Sequence, residues 1–172
     1  MAKPTRIALD LTLLLDLAAN DAATLAGLKA ARGAFTEVEF VVSPVTRQAL
    51  ALAMVSTSYD SEIRSLANTA LKRLTRQWGF SVVTIPGADL WVSGENARQL
   101  IASGLIGGHA IDSAHTVAEA ACLGCSLLLC HDPELLVIDY AKLKKALDNL
   151  DRGPLWITTP GEIFRQTASP KS

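Results

Sequence analysis

Apolar residues along the chain fall into two patterns. Short continuous runs of leucine, isoleucine and valine, typical of strands that are buried on both faces, predict five strands. These runs cover residues 6–9, 38–42, 81–85, 126–130 and 155–158. Longer stretches between them have apolar residues three or four positions apart, which is the spacing of helices. They predict helices at 11–31 with an interruption near Asn20, 44–56, 60–78, 95–102 and 111–123.

The order of these elements determines the predicted fold class. Strand and helix alternate along the chain, and such alternation is typical of a parallel sheet with helices on both sides. Residues suited to helix ends support the assignment: Ser43 and Pro44 stand at a helix start, and Gly79 and Gly124 follow helix ends. The sequence therefore predicts an α/β fold, a three-layer α/β/α sandwich with a mainly parallel central sheet of about five strands.

Length and composition indicate one domain. The chain has 172 residues, of which 49% are apolar, enough for one core. We expect a single domain at residues 1–166 and a frayed tail at 167–172. No apolar run approaches the roughly 20 residues of a membrane helix, and the start lacks the apolar stretch of a secretory signal. The expected protein is soluble and cytoplasmic, with no membrane contact.

Charge limits how the chain can bind nucleic acid. Its 16 basic and 17 acidic residues give a net charge of -1, so a polyanion needs a local basic patch. The candidates for RNA contact lie on the predicted helix at 60–78: Arg64, Lys72, Arg73 and Arg76. A second basic group comprises Lys142, Lys144 and Lys145. An ordinary solvated helix face is the alternative interpretation of both groups. Three tryptophans have apolar neighbours and are expected in the core: Trp78, Trp91 and Trp156.

Three cysteines cluster between residues 122 and 130. An odd number in a chain without a secretory signal favours reduced thiols. A zinc site is disfavoured because Cys125 and Cys130 would lie about 16 Å apart at ~3.3 Å per strand residue and on opposite faces. Cys122 is expected near a helix C-terminus, where the helix dipole does not activate a thiolate. We therefore interpret the cysteines as buried structural residues.

Three aspartates occupy positions where a parallel sheet binds ligands. Asp10 ends the first predicted strand, Asp132 follows the fourth, and Asp112 begins the helix that leads into that fourth strand. Ligands of such sheets bind outside the carboxyl ends of the strands, so these side chains are expected to meet. A bound cation would relieve their mutual repulsion. The alternative for each is structural, as a helix N-cap or a turn residue.

Three segments carry a resemblance to a known family. Residues 6–14 read RIALDLTLL, a strand that runs into an aspartate. Residues 109–132, HAIDSAHTVAEAACLGCSLLLCHD, contain an aspartate, an alanine-rich helix, a glycine and a strand that delivers a second aspartate. Residues 157–164, ITTPGEIF, suggest a last strand and a short helix. In order and spacing the chain resembles the PIN domain family.

This resemblance implies a function and a set of site residues. PIN domains are metal-dependent ribonucleases, so the chain is expected to hydrolyse RNA phosphodiesters with Mg²⁺ or Mn²⁺. Asp10, Asp112 and Asp132 would be catalytic and would bind the metal, with Glu134 as a further ligand. The resemblance extends to the VapC toxins, which implies an antitoxin protein as a possible partner. PIN domains also often pair as homodimers.

Several residues depart from the family pattern. Gln48 stands where a glutamate is usual, Thr12 where an asparagine is usual, and Cys130 and His131 where a hydroxyl residue and an asparagine are usual. Glu119, two helical turns after Asp112, could line the same groove or be solvated. The expected wall of the site comprises Thr12, Gln48, His131 and Glu119. The alternative function is a weakened or inactive PIN-like domain that binds RNA or protein.

Two other acid-bearing α/β families fit less well. A phosphatase of the haloacid dehalogenase type needs an aspartate at the position of Thr12. A phosphoreceiver domain needs paired acids after the first strand and a lysine after a late strand, and neither is evident. His115 lies one turn after Asp112 on the predicted helix, so hydrogen bonding or a core position is preferred to a role as a general base.

Overall fold

The computed structural model describes residues 4–168. Its strands are β1 (Thr5–Leu9), β2 (Val38–Val42), β3 (Ser81–Val82), β4 (Leu127–Leu129) and β5 (Trp156–Thr158). Its helices are α1 (Leu11–Ala18), α2 (Ala22–Ala34), α3 (Pro44–Val55), α4 (Ser61–Arg73), α5 (Gly87–Ala102), α6 (Ile111–Cys122), α7 (Pro133–Leu136), α8 (Tyr140–Asp148) and α9 (Pro160–Ala168).

The five strands form one sheet in the order β3-β2-β1-β4-β5. Every pairing between neighbours is parallel. In the central pairs, Ile7 lies opposite Phe40 on one side and Leu127 on the other. This register places the carboxyl ends of β1 and β4 side by side, which is the edge where the two strand-end aspartates were expected.

Helices cover both faces of this sheet, because successive strand residues point to opposite sides. Ile7 and Leu9 pack into one core, which also contains apolar residues of α1 to α4. Ala8, between them, packs into a second core built with α5, α6 and α8. The three-layer α/β/α sandwich predicted from the alternation of elements is confirmed.

The predicted elements are confirmed in type but not always in length. The break between α1 and α2 falls at Asn20, whose φ of 60° is left-handed. The α-helical part of α4 ends at Arg73, and the chain then turns to Gly79, which has a φ of 67°. The edge strand β3 has two residues instead of the five expected.

Helical structure is more extensive than the sequence pattern indicated. Helix α5 begins at Gly87, eight residues before the predicted start at 95, despite its two glycines. Helix α8 was not predicted. It begins where the Asp139 side chain accepts the Lys142 N–H at 2.9 Å, and it buries Leu143 and Leu147, four residues apart. The lysines of 142–145 therefore lie on an amphipathic helix.

Two expectations about side-chain burial are wrong. Trp91 is 67% exposed in the first turns of α5, and Trp156 is 39% exposed at the start of the edge strand β5. Cys125 and Cys130 pack into the same core rather than on opposite faces. Cys130 lies on the same side of the sheet as Leu128, as alternation requires, but Cys125 precedes the first residue of β4 and does not follow the alternation of the strand.

Cys125 and Cys130 have the properties of buried thiols, whereas Cys122 is partly exposed. All three are free, and burial raises the pKa of both Cys125 and Cys130 to about 12. Helix α9 continues through Ala168, and the rest of the expected tail lies outside the described residues. Within residues 4–168 no single helix is long and apolar enough to cross a membrane. Helices α1 and α2 together reach that length and composition but bend by 113° at their junction.

Candidate metal site at the carboxyl edge of the sheet

Asp10, Asp112 and Asp132 line one cavity of about 170 Å³. Asp10 and Asp132 follow β1 and β4, which are paired, and the Asp10 N–H donates to the Leu129 carbonyl at 3.2 Å. Asp112 is the second residue of α6 and approaches the same cavity from the helical layer. The topology therefore brings together three acids that are separated by up to 122 positions in the sequence.

The carboxylate of Asp10 is buried at the floor of this cavity. Its Oδ1 accepts the Leu13 N–H at 2.9 Å, so it caps α1, and its Oδ2 accepts the Thr12 hydroxyl at 2.7 Å. Burial raises its pKa to about 6. The two hydrogen bonds oppose that rise, and the negative charge of Asp132 adds to it. The position therefore holds a carboxylate that is costly to ionise without a nearby cation.

Asp132 is fixed in a similar way by its neighbours. Its Oδ1 accepts the Glu134 N–H at 2.9 Å and so caps α7. Its Oδ2 accepts the Ser113 hydroxyl at 2.6 Å, which joins the end of β4 to α6. Ser113 also lines the cavity and was not identified from the sequence. Asp112, the residue before it, is exposed, and no hydrogen bond to its carboxylate occurs in the described part of the chain.

Thr12 and His131 form a hydrogen-bonded support behind Asp10. The Thr12 hydroxyl donates to Asp10 and accepts the His131 backbone N–H at 2.9 Å. The His131 imidazole pairs through Nδ1 with the Asp16 carboxylate. Thr12 therefore lines the cavity as expected from the sequence, whereas the imidazole of His131 does not. This difference follows from Asp16, which lies one turn after Thr12 on α1.

Gln48 and Glu119 line a second cavity of about 420 Å³, between α3 and α6. Its lining shares Asp112 and three residues of α3 with the aspartate cavity: Val45, Ala49 and Leu52. We refer to the two adjoining cavities as the α3–α6 groove. Glu119 is buried, and its Oε2 accepts the Val45 N–H at 2.9 Å, which ties α6 to the first turn of α3.

Glu134 does not reach the groove. Its Oε1 lies 3.2 Å from Nε2 of His109 in an exposed pair, and it is absent from the lining of both cavities. Its expected role as a metal ligand therefore does not match its position. Glu134 lies only two residues after Asp132 in the sequence, but the first turn of α7 directs its side chain toward the loop before α6.

Three of the four candidate RNA-contact residues lie on α4, and the fourth, Arg76, lies in the turn that follows it. Tyr59, which lines the aspartate cavity, precedes this helix, and Arg64 lies in its first turns. Lys72 and Arg73 are in its last turn. Arg76 lines a different cavity beside Val38 and Ser81, at the amino ends of β2 and β3. Arg76 therefore lies at the edge of the sheet opposite the aspartates and cannot contact a phosphate bound between them.

The carboxylates of the site are suitable ligands for a hard divalent ion, but their side chains are not arranged as a metal site in this structure. Carboxylate oxygens are the ligands that Mg²⁺ and Mn²⁺ prefer. Among residues 4–168, however, no group of three His, Cys, Asp or Glu side chains is close enough to form a metal site. Asp10 and Asp132 are held by hydrogen bonds, so the exposed Asp112 is the side chain that is free to move. Neither cavity of the groove is lined by a lysine or arginine from the described chain.

Solved structures with a similar fold have been found. One is a chain of VapBC2 from Rickettsia felis, crystallised with a DNA fragment from its promoter. It aligns with a TM-score of 0.59 and 11% identity over 90% of this chain and 98% of that chain. Another is from VapBC-1 of nontypeable Haemophilus influenzae, with a TM-score of 0.55 and 15% identity over 91% and 98%. The fold is PIN-like. Comparison of the sequence with family models and with curated proteins gave no match.

Proposed function

We propose that this chain is a PIN-like, divalent-metal-dependent ribonuclease whose catalytic residues are Asp10, Asp112 and Asp132. The observation that carries the proposal is that these three carboxylates line one cavity at the carboxyl edge of a PIN-like sheet. The similarity to the two VapBC structures supports the fold. The chemistry rests on the residues themselves, because an identity of 11–15% is too low to transfer an activity.

Asp10, Asp112 and Asp132 would hold Mg²⁺ or Mn²⁺. A bound ion of this kind lowers the pKa of a coordinated water and offsets charge that develops on a phosphate. Thr12 and Ser113 keep two of the carboxylates in place through hydrogen bonds of 2.7 and 2.6 Å. Asp112 would complete the ligand set by turning from solvent toward Asp10. Burial of Asp10 makes the gain from a cation larger, since its ionised form is otherwise poorly solvated.

The charge of the site supports one bound ion rather than two. Three carboxylates carry three negative charges when ionised, Gln48 contributes none, and Glu134 is paired with His109. Glu119 lines the adjoining part of the groove, but its carboxylate already accepts the Val45 N–H in the first turn of α3. The proposed site is therefore degenerate relative to the family pattern, and weak activity at high metal concentration is the expected consequence.

A second candidate function is a PIN-like module that binds RNA or protein without catalysis. Hydrogen bonds within the chain already occupy both oxygens of Asp10 and both oxygens of Asp132. These carboxylates therefore cap α1 and α7 whether or not a metal binds. This structural role would preserve both residues in a domain that no longer cuts RNA.

An antitoxin-like protein is the partner that we propose for the groove. Leu52, Leu90 and Ile111 line it and are about half exposed, at 56%, 45% and 53%. Asp112 and Glu119 line the same cavity as these apolar residues, and no lysine or arginine of the described chain does. A segment with apolar residues and a basic side chain would complement this surface in both respects. A homodimer that covers the same apolar side chains is the alternative.

Cleavage of a fluorescent single-stranded RNA tests the proposed activity. We expect slow cleavage that requires Mn²⁺ or Mg²⁺, stops with a chelator and is lost in Asp10→Asn. The matched control is Asp139→Asn. Asp139 also caps a helix and lies outside the groove, and its substitution removes the same charge. Equal cleavage by the wild type and Asp10→Asn would point to a contaminant. RNA binding without any cleavage would favour the second candidate.

A further inference from the structure

The groove contains acids, but the lining of its two cavities in the described chain includes no lysine or arginine that would attract a polyanion. A nucleic acid that reached the aspartates would therefore meet net negative charge along the groove. Attraction for its phosphates has to come from another part of the surface, because the electrostatic term supplies most sequence-independent binding.

Such a surface lies at the amino edge of the sheet. Arg32 and Arg76 line a cavity of about 510 Å³ together with Glu39. The acid is already neutralised, since the Arg6 Nε lies 2.7 Å from Glu39 Oε2. Neither Arg32 nor Arg76 forms an ion pair with a carboxylate among residues 4–168. Two unneutralised guanidinium groups therefore face one cavity.

Arg32 is held in position for this role. Its guanidinium donates to the Trp78 carbonyl at 3.1 Å and lies 5.3 Å from the centre of the Phe40 ring. A guanidinium that is fixed in this way loses little side-chain entropy when it binds a phosphate. Basic residues in the last turns of α2 and α4 can be explained by their favourable interaction with the negative end of the helix dipole. This interaction does not account for Arg76, which lies beyond the end of α4.

Helix α4 connects this surface to the aspartate cavity. It spans about 20 Å for its 13 residues. At its start are Tyr59 and Asp60, beside the cavity, and at its end is the turn that carries Arg76. Arg64 and Lys72 are eight residues apart and so lie on one side of the helix. Neither is paired with an acid in the described chain.

We propose that Arg32, Lys72 and Arg76 form a docking surface for the phosphate backbone of single-stranded RNA, from which the strand follows α4 past Arg64 to the aspartates. The identity of the polyanion as RNA rests on the proposed function. The surface recognises phosphates rather than bases, so it positions the strand and contributes no sequence preference.

Fluorescence anisotropy of a labelled single-stranded RNA, measured with a chelator at several salt concentrations, tests this surface. We expect Lys72→Ala/Arg76→Ala to weaken binding about tenfold near 0.1 M salt and to reduce the salt slope by about 1.4, or roughly 0.7 per lost phosphate contact. Both side chains are exposed and make no hydrogen bond to any residue that the structure describes, so the variant should fold normally. Adding Arg32→Ala should weaken binding further.

The matched control is Arg98→Ala/Lys144→Ala, which removes the same net charge from exposed positions elsewhere. An equal loss in the control would mean that only net charge matters and would overturn the proposal, as would undiminished binding by Lys72→Ala/Arg76→Ala. Binding of poly-glutamate but not RNA would assign the surface to an acidic protein and overturn it too. Because binding is measured in chelator, it does not depend on the Mn²⁺-dependent cleavage assay, so failure of the nuclease proposal is detected separately.

Discussion

Ser113 donates its hydroxyl proton to Oδ2 of Asp132 at 2.6 Å and so joins α6 to the end of β4. The bond places Asp112, the preceding residue, beside the strand-end carboxylates. We expect Ser113→Ala to lower the free energy of unfolding by about 1 kcal/mol, the usual contribution of one such bond. Ser113→Thr, which keeps the hydroxyl, should lose less. Urea denaturation compares the variants, and a Ser113→Ala protein as stable as the wild type would show that the bond contributes nothing.

Asp10 should make the stability of the metal-free protein depend on pH. Burial raises its pKa from 3.8 to about 6. A carboxyl that is harder to ionise in the folded chain favours folding while it stays protonated. Its contribution is present below the unfolded pKa and is lost as pH rises through about 6, by on the order of 3 kcal/mol. The melting temperature of Asp10→Asn should lack this decline.

Mn²⁺ should reverse that trend, because a cation stabilises the ionised form of Asp10. Melting curves at several pH values, with chelator and with Mn²⁺, give the comparison. Parallel pH profiles for the wild type and Asp10→Asn in chelator would contradict the assignment of the raised pKa to this residue.

Gln48→Glu should trade stability for metal affinity. Gln48 and Glu119 line the same cavity as Asp112, so a new carboxylate adds repulsion when no metal is present. We expect a lower melting temperature in chelator and a larger stabilisation by Mn²⁺. Adding Glu119→Gln should recover the loss in chelator, since an amide oxygen can still accept the Val45 N–H. No change in either condition would mean that position 48 does not contact the ion.

Gly27 tests the packing of the helical layer away from the site. A Cβ built on it would lie 2.3 Å from Pro160 Cβ and 2.4 Å from the Pro160 carbonyl, so α2 and α9 must move apart in Gly27→Ala. We expect a loss of about 1–3 kcal/mol from such overpacking. Gly33→Ala is the matched control on the same helix, because apart from the adjoining backbone of α2 no atom of residues 4–168 lies within 4 Å of its new methyl. A Gly27→Ala protein as stable as Gly33→Ala would contradict the close contact.

Most of the arrangement of acidic residues at the carboxyl edge of the sheet could be predicted from the sequence. Asp10 and Asp132 were placed correctly because a parallel sheet gathers the ends of its strands, so backbone topology alone brings them together. Their hydrogen bonds to Thr12 and Ser113 depend on side-chain rotamers, which the pattern of apolar residues does not determine. Ser113 was missed for this reason, although its place after Asp112 in the first turn of α6 was visible.

Side chains in short connecting segments were the hardest to predict. Glu134 and His131 flank Asp132, yet one turns to His109 and the other to Asp16. Both partners come from elements distant in sequence, so local spacing carries no signal for them. Trp156 was expected in the core because its neighbours are apolar, but it begins an edge strand, where one side of the residue has no neighbouring strand.

Titration of the metal-free protein with Mn²⁺ tests the proposed site most directly. Binding is monitored by the melting temperature or by the paramagnetic resonance of free Mn²⁺. If Asp10, Asp112 and Asp132 share an ion, the wild type should bind about one Mn²⁺ and be stabilised by about 2.7 kcal/mol at 100 times the Kd. Asp10→Asn and Asp112→Asn should each lose this stabilisation, and Asp139→Asn should keep it. Absence of binding by the wild type, or equal binding by Asp10→Asn, would contradict the metal site.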